Sequence, residues 1–283
     1  MVERIDSLTN KKIKDTAALH NRRQRAKQGR FVAEGLRLGE MAAAADWPLC
    51  YALYTAELAV QSRGAALLEQ LAAKDCPCYE TSPTAFAKAA ATQSPQGILI
   101  VMEQRCVSLS ELARADKERL RELDEQEVQA PFYIVLDGLQ DPGNVGTIIR
   151  TADAAGATGM ILTKGCVDVY DDKTVRATMG SLFHLPVVRG VTVEELIAFA
   201  RERDLHLFAT ALDVAAQPHF TCDFQRGTAI IFGNEGSGVS EALLAAAQKV
   251  YIPMYGQAES LNAATSAAVI LYEMVRQRHF AIS

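Results

Sequence analysis

The sequence predicts an α/β protein in two parts, the second a parallel sheet with helices on both faces. Three observations carry this. From residue 131 onward, short apolar runs alternate with helical patterns, which is how a parallel sheet with crossover helices reads. Before residue 107, strand-like runs separated by helical stretches form a smaller α/β unit. Between the two, "ELARADKERLRELDEQEVQ" is almost wholly charged or helix-forming, with Glu and Arg interleaved. The expected organisation is therefore an N-terminal domain over 1–107, an exposed helical linker over 108–130 and a larger domain over 131–283.

Taken in order, residues 1–30 carry Arg4, Lys11, Lys12, Lys14, Arg22, Arg23, Arg25, Lys27 and Arg30 against Glu3, Asp6 and Asp15. That is a net +6, which leaves −11 for the rest of a chain whose net charge is −5. A basic arm on an acidic body suggests a phosphate-facing surface. A solvated helix face would account for the same charges. "GRFVAEGLRLGEMAAAA" (29–45) has a helical apolar pattern. "LCYALYT" (49–55), "CPCYETS" (76–82) and "GILIVME" (97–103) are strand-like, with helices "AALLEQLAAK" (65–74) and "SPTAFAKAAA" (82–91) between them. In the second part, strand "FYIVLD" feeds helix "VGTIIRTADAAG" and strand "GMILT" (159–163). Helix "KTVRATMGSLFH" (173–184), strand "LPVVRG" and helix "VEELIAFARERD" (193–204) follow. Strands "LHLFATA" (205–211), "TAIIFGNEG" (228–236) and "VYIPM" (250–254) lead to a last helix over 262–280.

Hydrophobic residues make up 49% and charged residues 22%, a soluble globular balance. No apolar stretch reaches the roughly 18 residues of a membrane span. "MVERIDSLTNKK" lacks the apolar core of a signal peptide, so a cytoplasmic location is expected. The six cysteines and five histidines are dispersed, and the one close pair, "CPC" at 76–78, lacks the spacing of a zinc or thioredoxin site. No metal is expected.

Three loops that follow strands have unusual chemistry, and in parallel sheets ligands sit where loops leave the carboxyl ends. The first, "LDGLQDPGNVGTIIR" (136–150), fits neither common nucleotide loop. It lacks G-x-G-x-x-G with a following ribose acid, and it lacks the Lys of a P-loop. What remains is Asn144 at the helix start and Arg150 six residues on, about 9 Å along a helix. An Arg on an inner face beside "TII" and "TAD" calls for a phosphate or carboxylate. A structural pairing with Asp153 or another acid is the alternative. The second loop, "IIFGNEGSGVS" (230–240), has Gly233, Gly236 and Gly238, which let backbone approach a ligand, and Glu235 inside the turn. The third, "IPMYGQAESLNAATSAA" (252–268), caps a helix whose first turns are small residues. These allow close packing, or they serve simply as good helix formers.

In this order, the loops resemble the three signature motifs of the SpoU (TrmH-type) RNA ribose 2′-O-methyltransferases. The matching residues are "NVGTIIR" (144–150), "FGNEGSGVS" (232–240) and "IPMYGQAESLNAATSAAVILYE" (252–273), with "VDVYDDKTVRATMGSLFHLPV" (167–187) and "FVAEGLRL" (31–38) in support. The resemblance implies a SPOUT-class domain whose parallel sheet is threaded into a deep trefoil knot, a known exception to the rule against knots. It implies S-adenosylmethionine as cofactor, resting on backbone around Gly233, Ile252 and Leu261 with Met254 nearby. It also implies a homodimer, and an N-terminal domain similar to ribosomal-protein-like RNA-binding domains. On that basis Lys11, Lys12, Lys14, Arg22, Arg23, Arg25 and Arg30 are candidate RNA contacts, and ribosomal RNA is the expected partner.

Methyl transfer to a ribose hydroxyl is an in-line displacement, so holding the reactants in line supplies much of the catalysis. Arg150 is the family's catalytic position. A guanidinium stays protonated, so Arg150 is expected to grip the phosphate beside the target ribose and stabilise the developing alkoxide. A proton relay through Arg150 is the family's alternative. Asn144, Glu235, Ser260 and Asn262 would position Arg150 and the ribose. Rival readings are a transfer-RNA methyltransferase, an inactive RNA-binding homologue, a nicotinamide enzyme and an ordinary Rossmann methyltransferase. The intact polar positions argue against the inactive form, and the missing fingerprints argue against the last two.

Overall fold

A computed structural model describes residues 3–122 and 130–280. The chain begins with β1 (Glu3–Ile5), α1 (Lys11–Ala18), α2 (Arg22–Gln28), β2 (Arg30–Glu34), α3 (Leu36–Ala44) and β3 (Leu49–Thr55). It continues through α4 (Ala56–Ala59), α5 (Ser62–Ala73), β4 (Cys78–Thr81), α6 (Pro83–Ala89) and β5 (Ile98–Glu103). Next come α7 (Leu109–Glu122), β6 (Phe132–Asp137), α8 (Pro142–Ala154), β7 (Gly159–Thr163), α9 (Asp172–Thr178) and β8 (Val187–Val191). The last elements are α10 (Val193–Glu202), β9 (His206–Thr210), β10 (Gln217–Pro218), β11 (Thr228–Gly233), α11 (Glu241–Ala246), β12 (Gln248–Tyr251) and α12 (Ala263–His279).

These elements pack as two compact units. The first unit runs to Arg105 and takes in Asp168–His184; the second holds Cys106–Val167 and the chain from Leu185 onward. Segment 168–184 thus leaves the larger unit it was assigned to. The expected linker is also different. Leu109, Leu112, Ala113 and Asp116 of α7 share one helical face. Leu112 is buried in the core of the second unit among Val135, Ile161 and Val188, worth roughly 2 kcal/mol for such a side chain. Asp116 is buried in an ion pair with Arg203. The helix therefore contributes Leu112 and the buried Asp116 to the second unit's core. Residues 123–129 of the expected linker lie outside the described residues.

The second unit's seven strands are all parallel, in the order β10-β12-β9-β11-β6-β7-β8. From β6 the chain steps outward to β7 and β8, then crosses to the other side for the rest. The order reverses beside β6, which is where a parallel sheet opens a crevice outside its carboxyl ends. In the β6–β11 register, Leu136 faces Phe232 and Asp137 faces Gly233. The first and second loops therefore leave the sheet side by side.

The first unit's sheet runs β1-β4-β3-β5-β2, with β5 antiparallel to both of its neighbours. Residues 30–34, read from the sequence as helical, form β2. Gly35, at φ 110°, stops any helix from running across 29–45, and pairing with β5 claims the apolar residues before it. The basic segment is not an arm. It folds into α1 and α2, capped by the side chains of Asn10 and Asn21, with Ile13 and Leu19 in the core. Segment 168–184 joins this unit through Tyr170, whose ring lies 4.6 Å from that of Phe31, and Phe183, 5.4 Å from Trp47.

A second tie is His20. Its Nδ1 is 2.9 Å from Asp172 Oδ2 and its Nε2 is 2.7 Å from the Ala89 carbonyl oxygen. Two acceptors facing both ring nitrogens suit the imidazolium. Burial opposes the charge, but Asp172, the Ala89 carbonyl and the more distant Glu34 outweigh it and raise the pKa above 6.5. A raised folded-state pKa gives stability that is fully present below about pH 6.5, the unfolded value, and is lost as pH rises through the folded one. Urea midpoints measured across that range should fall for the wild type, and this part of the fall should be absent from His20→Gln.

Candidate active site

Asp137, the last residue of β6, organises the crevice. Its side chain is buried, with Oδ1 accepting the Thr163 hydroxyl (2.9 Å) and Oδ2 accepting the Ser240 amide (2.8 Å). The same Thr163 hydroxyl oxygen accepts the Gly138 amide at 3.1 Å. Asn234 holds the second loop together. Its Oδ1 accepts the amides of Gly236 (2.9 Å) and Ser237 (3.1 Å), and its Nδ2 donates to the Gly138 carbonyl at 2.8 Å. The first and second loops are thus joined by hydrogen bonds between the side chain of one and the backbone of the other.

Beside them opens a cavity of about 600 Å³, in the range of a small-molecule site. Its walls are residues 210–212, 232–238, 250–252, 254, 259–263, 266 and 270. All four cofactor candidates (Gly233, Ile252, Met254 and Leu261) line it, as do Glu235, Ser260 and Asn262. Asn144 does not line the cavity but is bonded to residues that do. Its Nδ2 donates to Glu235 Oε1 (3.0 Å), and its Oδ1 accepts from Asn262 Nδ2 (2.9 Å). Asn262 also caps α12 through its Oδ1. One residue from each loop therefore meets in a single polar chain.

Glu235 is held as a carboxylate. The burial it has works against the charge, but the Asn144 amide and the backbone amides of Gln140 and Asp141 outweigh that and lower its pKa below 4.5. Acceptor-only oxygens in the wall of this cavity can orient a hydroxyl or an amine.

Arg150 is placed differently from the sequence expectation. The helix α8 turns Ile148 and Ile149 inward and leaves Arg150 exposed, so it is not on an inner face. Its side chain has no hydrogen bond or ion pair among the described residues. Its guanidinium is free to take a phosphate from solvent. The candidate RNA contacts lie in the first unit. Lys11, Lys14, Arg22 and Arg23 are exposed, and Arg30 is half-buried in β2. Lys12 is partly covered, with its ammonium 4.3 Å from the Tyr79 ring centre and 5.1 Å from that of Tyr51. Arg25 is fully buried and ion-paired, so it cannot be a surface contact.

Sequence reading missed Asp137, Asn234 and the Thr210–Leu212 wall. Asp137 was visible as the abrupt end of an apolar run. Thr210–Leu212 gave no signal, because only the pairing of β9 with β11 and β12 brings that loop to the cavity.

Residues 131–272 match the SpoU rRNA Methylase family, and residues 10–100 match the MRM3-like substrate binding domain. A 23S rRNA (guanosine(2553)-2′-O)-methyltransferase, RlmP, of Bacillus subtilis is 34% identical over 96% of this chain and 99% of its own. A 23S rRNA (uridine(2479)-2′-O)-methyltransferase of Streptomyces viridochromogenes is also 34% identical, over 93% of this chain and 88% of its own. Among solved structures, an AdoMet-bound rRNA methyltransferase from Sinorhizobium meliloti superposes with a TM-score of 0.82 at 31% identity, covering 100% of this chain and 99% of that one. The AdoMet complex of the SpoU methyltransferase AviRb from Streptomyces viridochromogenes gives 0.78 at 32% identity, over 95% and 98%.

Proposed function

The chain belongs to the SpoU rRNA methylase family, and from that premise we propose that it methylates the 2′-hydroxyl of a ribose in ribosomal RNA, using S-adenosylmethionine. The observation that carries the reading is the cavity at the carboxyl ends of β9, β11 and β12, which gathers all four cofactor candidates and abuts the Asn144–Glu235–Asn262 chain. Its size and its glycine-rich wall fit the cofactor, since the Gly233–Gly238 backbone can lie against an extended ligand. Bound there, S-adenosylmethionine supplies an electrophilic methyl group.

The protein's own part is positional and electrostatic. The polar chain from Asn144 to Glu235 and Asn262 fixes the cavity's rim on the side of α8. Arg150, exposed on α8 and without a partner among the described residues, takes the phosphate beside the target ribose and stabilises negative charge on the oxygen as it loses its proton. Ser260 and Glu235 orient the ribose. The two curated relatives act on a guanosine and a uridine at equal identity to this chain. A reaction centred on the ribose accommodates both, and base choice belongs to residues outside the shared motifs. Exposed Lys11, Lys14, Arg22 and Arg23 contribute RNA affinity from the first unit. Among the described residues no helix is long and apolar enough to cross a membrane and no metal-binding cluster occurs. A homodimer, a trefoil knot and a cytoplasmic location belong to the same proposal, on the family's pattern.

The test is methyl transfer from labelled S-adenosylmethionine to purified ribosomal and transfer RNA, followed by nucleoside analysis. A 2′-O-methylnucleoside in ribosomal RNA is the expected product. The same product in transfer RNA alone would move the substrate class, and a methylated base would overturn the reaction.

A further inference from the structure

Arg25 is the one member of the basic N-terminal cluster that is completely buried, and its surroundings give it a specific task. Its Nε donates to Asp168 Oδ2 at 2.9 Å and one terminal nitrogen reaches Asp171 Oδ2 at 3.4 Å. The other donates to the carbonyls of Leu19 and His20, at 2.9 and 3.0 Å. Burying a guanidinium is costly unless most of its donors are met, and here they are. Both acids belong to the short stretch by which the chain enters segment 168–184. Tyr170, between them, is fixed as well: its amide donates to Asp168 Oδ1 (3.0 Å) and its hydroxyl donates to the Arg105 carbonyl at 2.9 Å.

The residue just before Asp168 is part of the second unit. The Val167 amide donates to the Leu139 carbonyl at 2.9 Å, and Leu139 is fully buried in the first loop. The next two residues, Gln140 and Asp141, present the backbone amides that face Glu235. Chain continuity from Asp168 to Val167 therefore joins the Arg25 clamp to the loop that carries Asn144 and leads into α8. No residue of the cavity wall belongs to that loop.

Building on the methyltransferase reading, we infer that Arg25 is a positioning residue for the reaction: through Asp168 it fixes Val167, and so the loop that sets Asn144, Glu235 and the start of the Arg150 helix. It acts on turnover, whereas its exposed neighbours Arg22 and Arg23 act on RNA affinity.

The test compares wild type, Arg25→Lys, Asp168→Asn, their double variant and Arg22→Ala/Arg23→Ala, all full-length. Calorimetry gives the stoichiometry and affinity for S-adenosylmethionine, and kinetics on ribosomal RNA give kcat and KM. Arg25→Lys and Asp168→Asn are each expected to lower kcat about tenfold, with full cofactor stoichiometry and KM for RNA within about twofold. The double variant should lose no more than the worse single one. Arg22→Ala/Arg23→Ala should raise KM for RNA. Asp168→Asn keeps a side-chain oxygen for the Tyr170 amide, so it reports even where Arg25→Lys fails to fold. Unchanged kcat, or a loss that follows cofactor stoichiometry or KM for RNA, would overturn the inference. A wild type that binds cofactor yet methylates no RNA would instead overturn the proposed function.

Discussion

Replacing Arg150 with Ala should leave S-adenosylmethionine binding as it is and slow methyl transfer about 100- to 1000-fold, the range seen when one donor to a developing oxyanion is removed. The first half of this result follows from where the side chain is. Arg150 is no part of the cavity wall, it is exposed, and it has no partner among the described residues, so its truncation leaves no buried group unsatisfied. Folding and the cofactor site should both be indifferent to it, as surface truncations usually are. The second half follows from the chemistry. A ribose hydroxyl becomes a competent nucleophile only as it loses its proton, and within the first loop and α8 Arg150 is the one cation available to meet the charge that appears. A guanidinium gives two parallel donors to a phosphate, whereas Lys gives a point charge, so Arg150→Lys should recover only part of the rate. Single-turnover methyl transfer with saturating cofactor and RNA measures this directly. A rate for Arg150→Ala within threefold of wild type would remove Arg150 from the reaction.

How far the sequence reached depends on the range of the interactions involved. The second unit was legible because its central strands β6, β7 and β11 are buried on both faces and read as apolar runs, as "YIVL" and "AIIF" do. The loops were legible through residues that a structural turn has little use for, such as Glu235. β2 was misread because "FVAEGLRLGEM" satisfies a helical spacing as well as a strand, and only pairing with β5 decides between them. Arg25 was misread because nothing local separates it from Arg22 and Arg23. Its partner Asp168 is 143 residues away, in a segment that leaves one unit to pack in the other. Ile13, Thr16 and Leu19 recur at three-residue steps, one face of a helix, but the charges around them obscure that pattern. The face of α7 carrying Leu109, Leu112 and Ala113 was passed over for the same reason.

The other large effect expected is at Gly233. Gly233→Ala should weaken S-adenosylmethionine binding by about 1–3 kcal/mol, the usual penalty for forcing a methyl group into a closed space, or roughly 5- to 150-fold. A β-carbon there would lie 2.2 Å from the Gly238 carbonyl carbon and the Val239 nitrogen, which are backbone atoms that no rotamer change can move aside. The loop is tied where it would have to give. Asn234 and Gly238 exchange both backbone hydrogen bonds, at 3.0 and 2.9 Å, and Asp137 holds the Ser240 amide just beyond. Making room means pushing residues 234–239 away from β11. That deforms a wall of the cavity and draws Glu235 from Asn144, so affinity and turnover should fall together, unlike the result at Arg150. Gly236→Ala provides the contrast, since the nearest atom a β-carbon would meet there is 3.5 Å away. Calorimetric titration of S-adenosylmethionine into the two variants distinguishes a steric demand at the strand end from a general need for flexibility in the loop. Equal affinities for Gly233→Ala and wild type would mean that the cofactor does not rest on this loop.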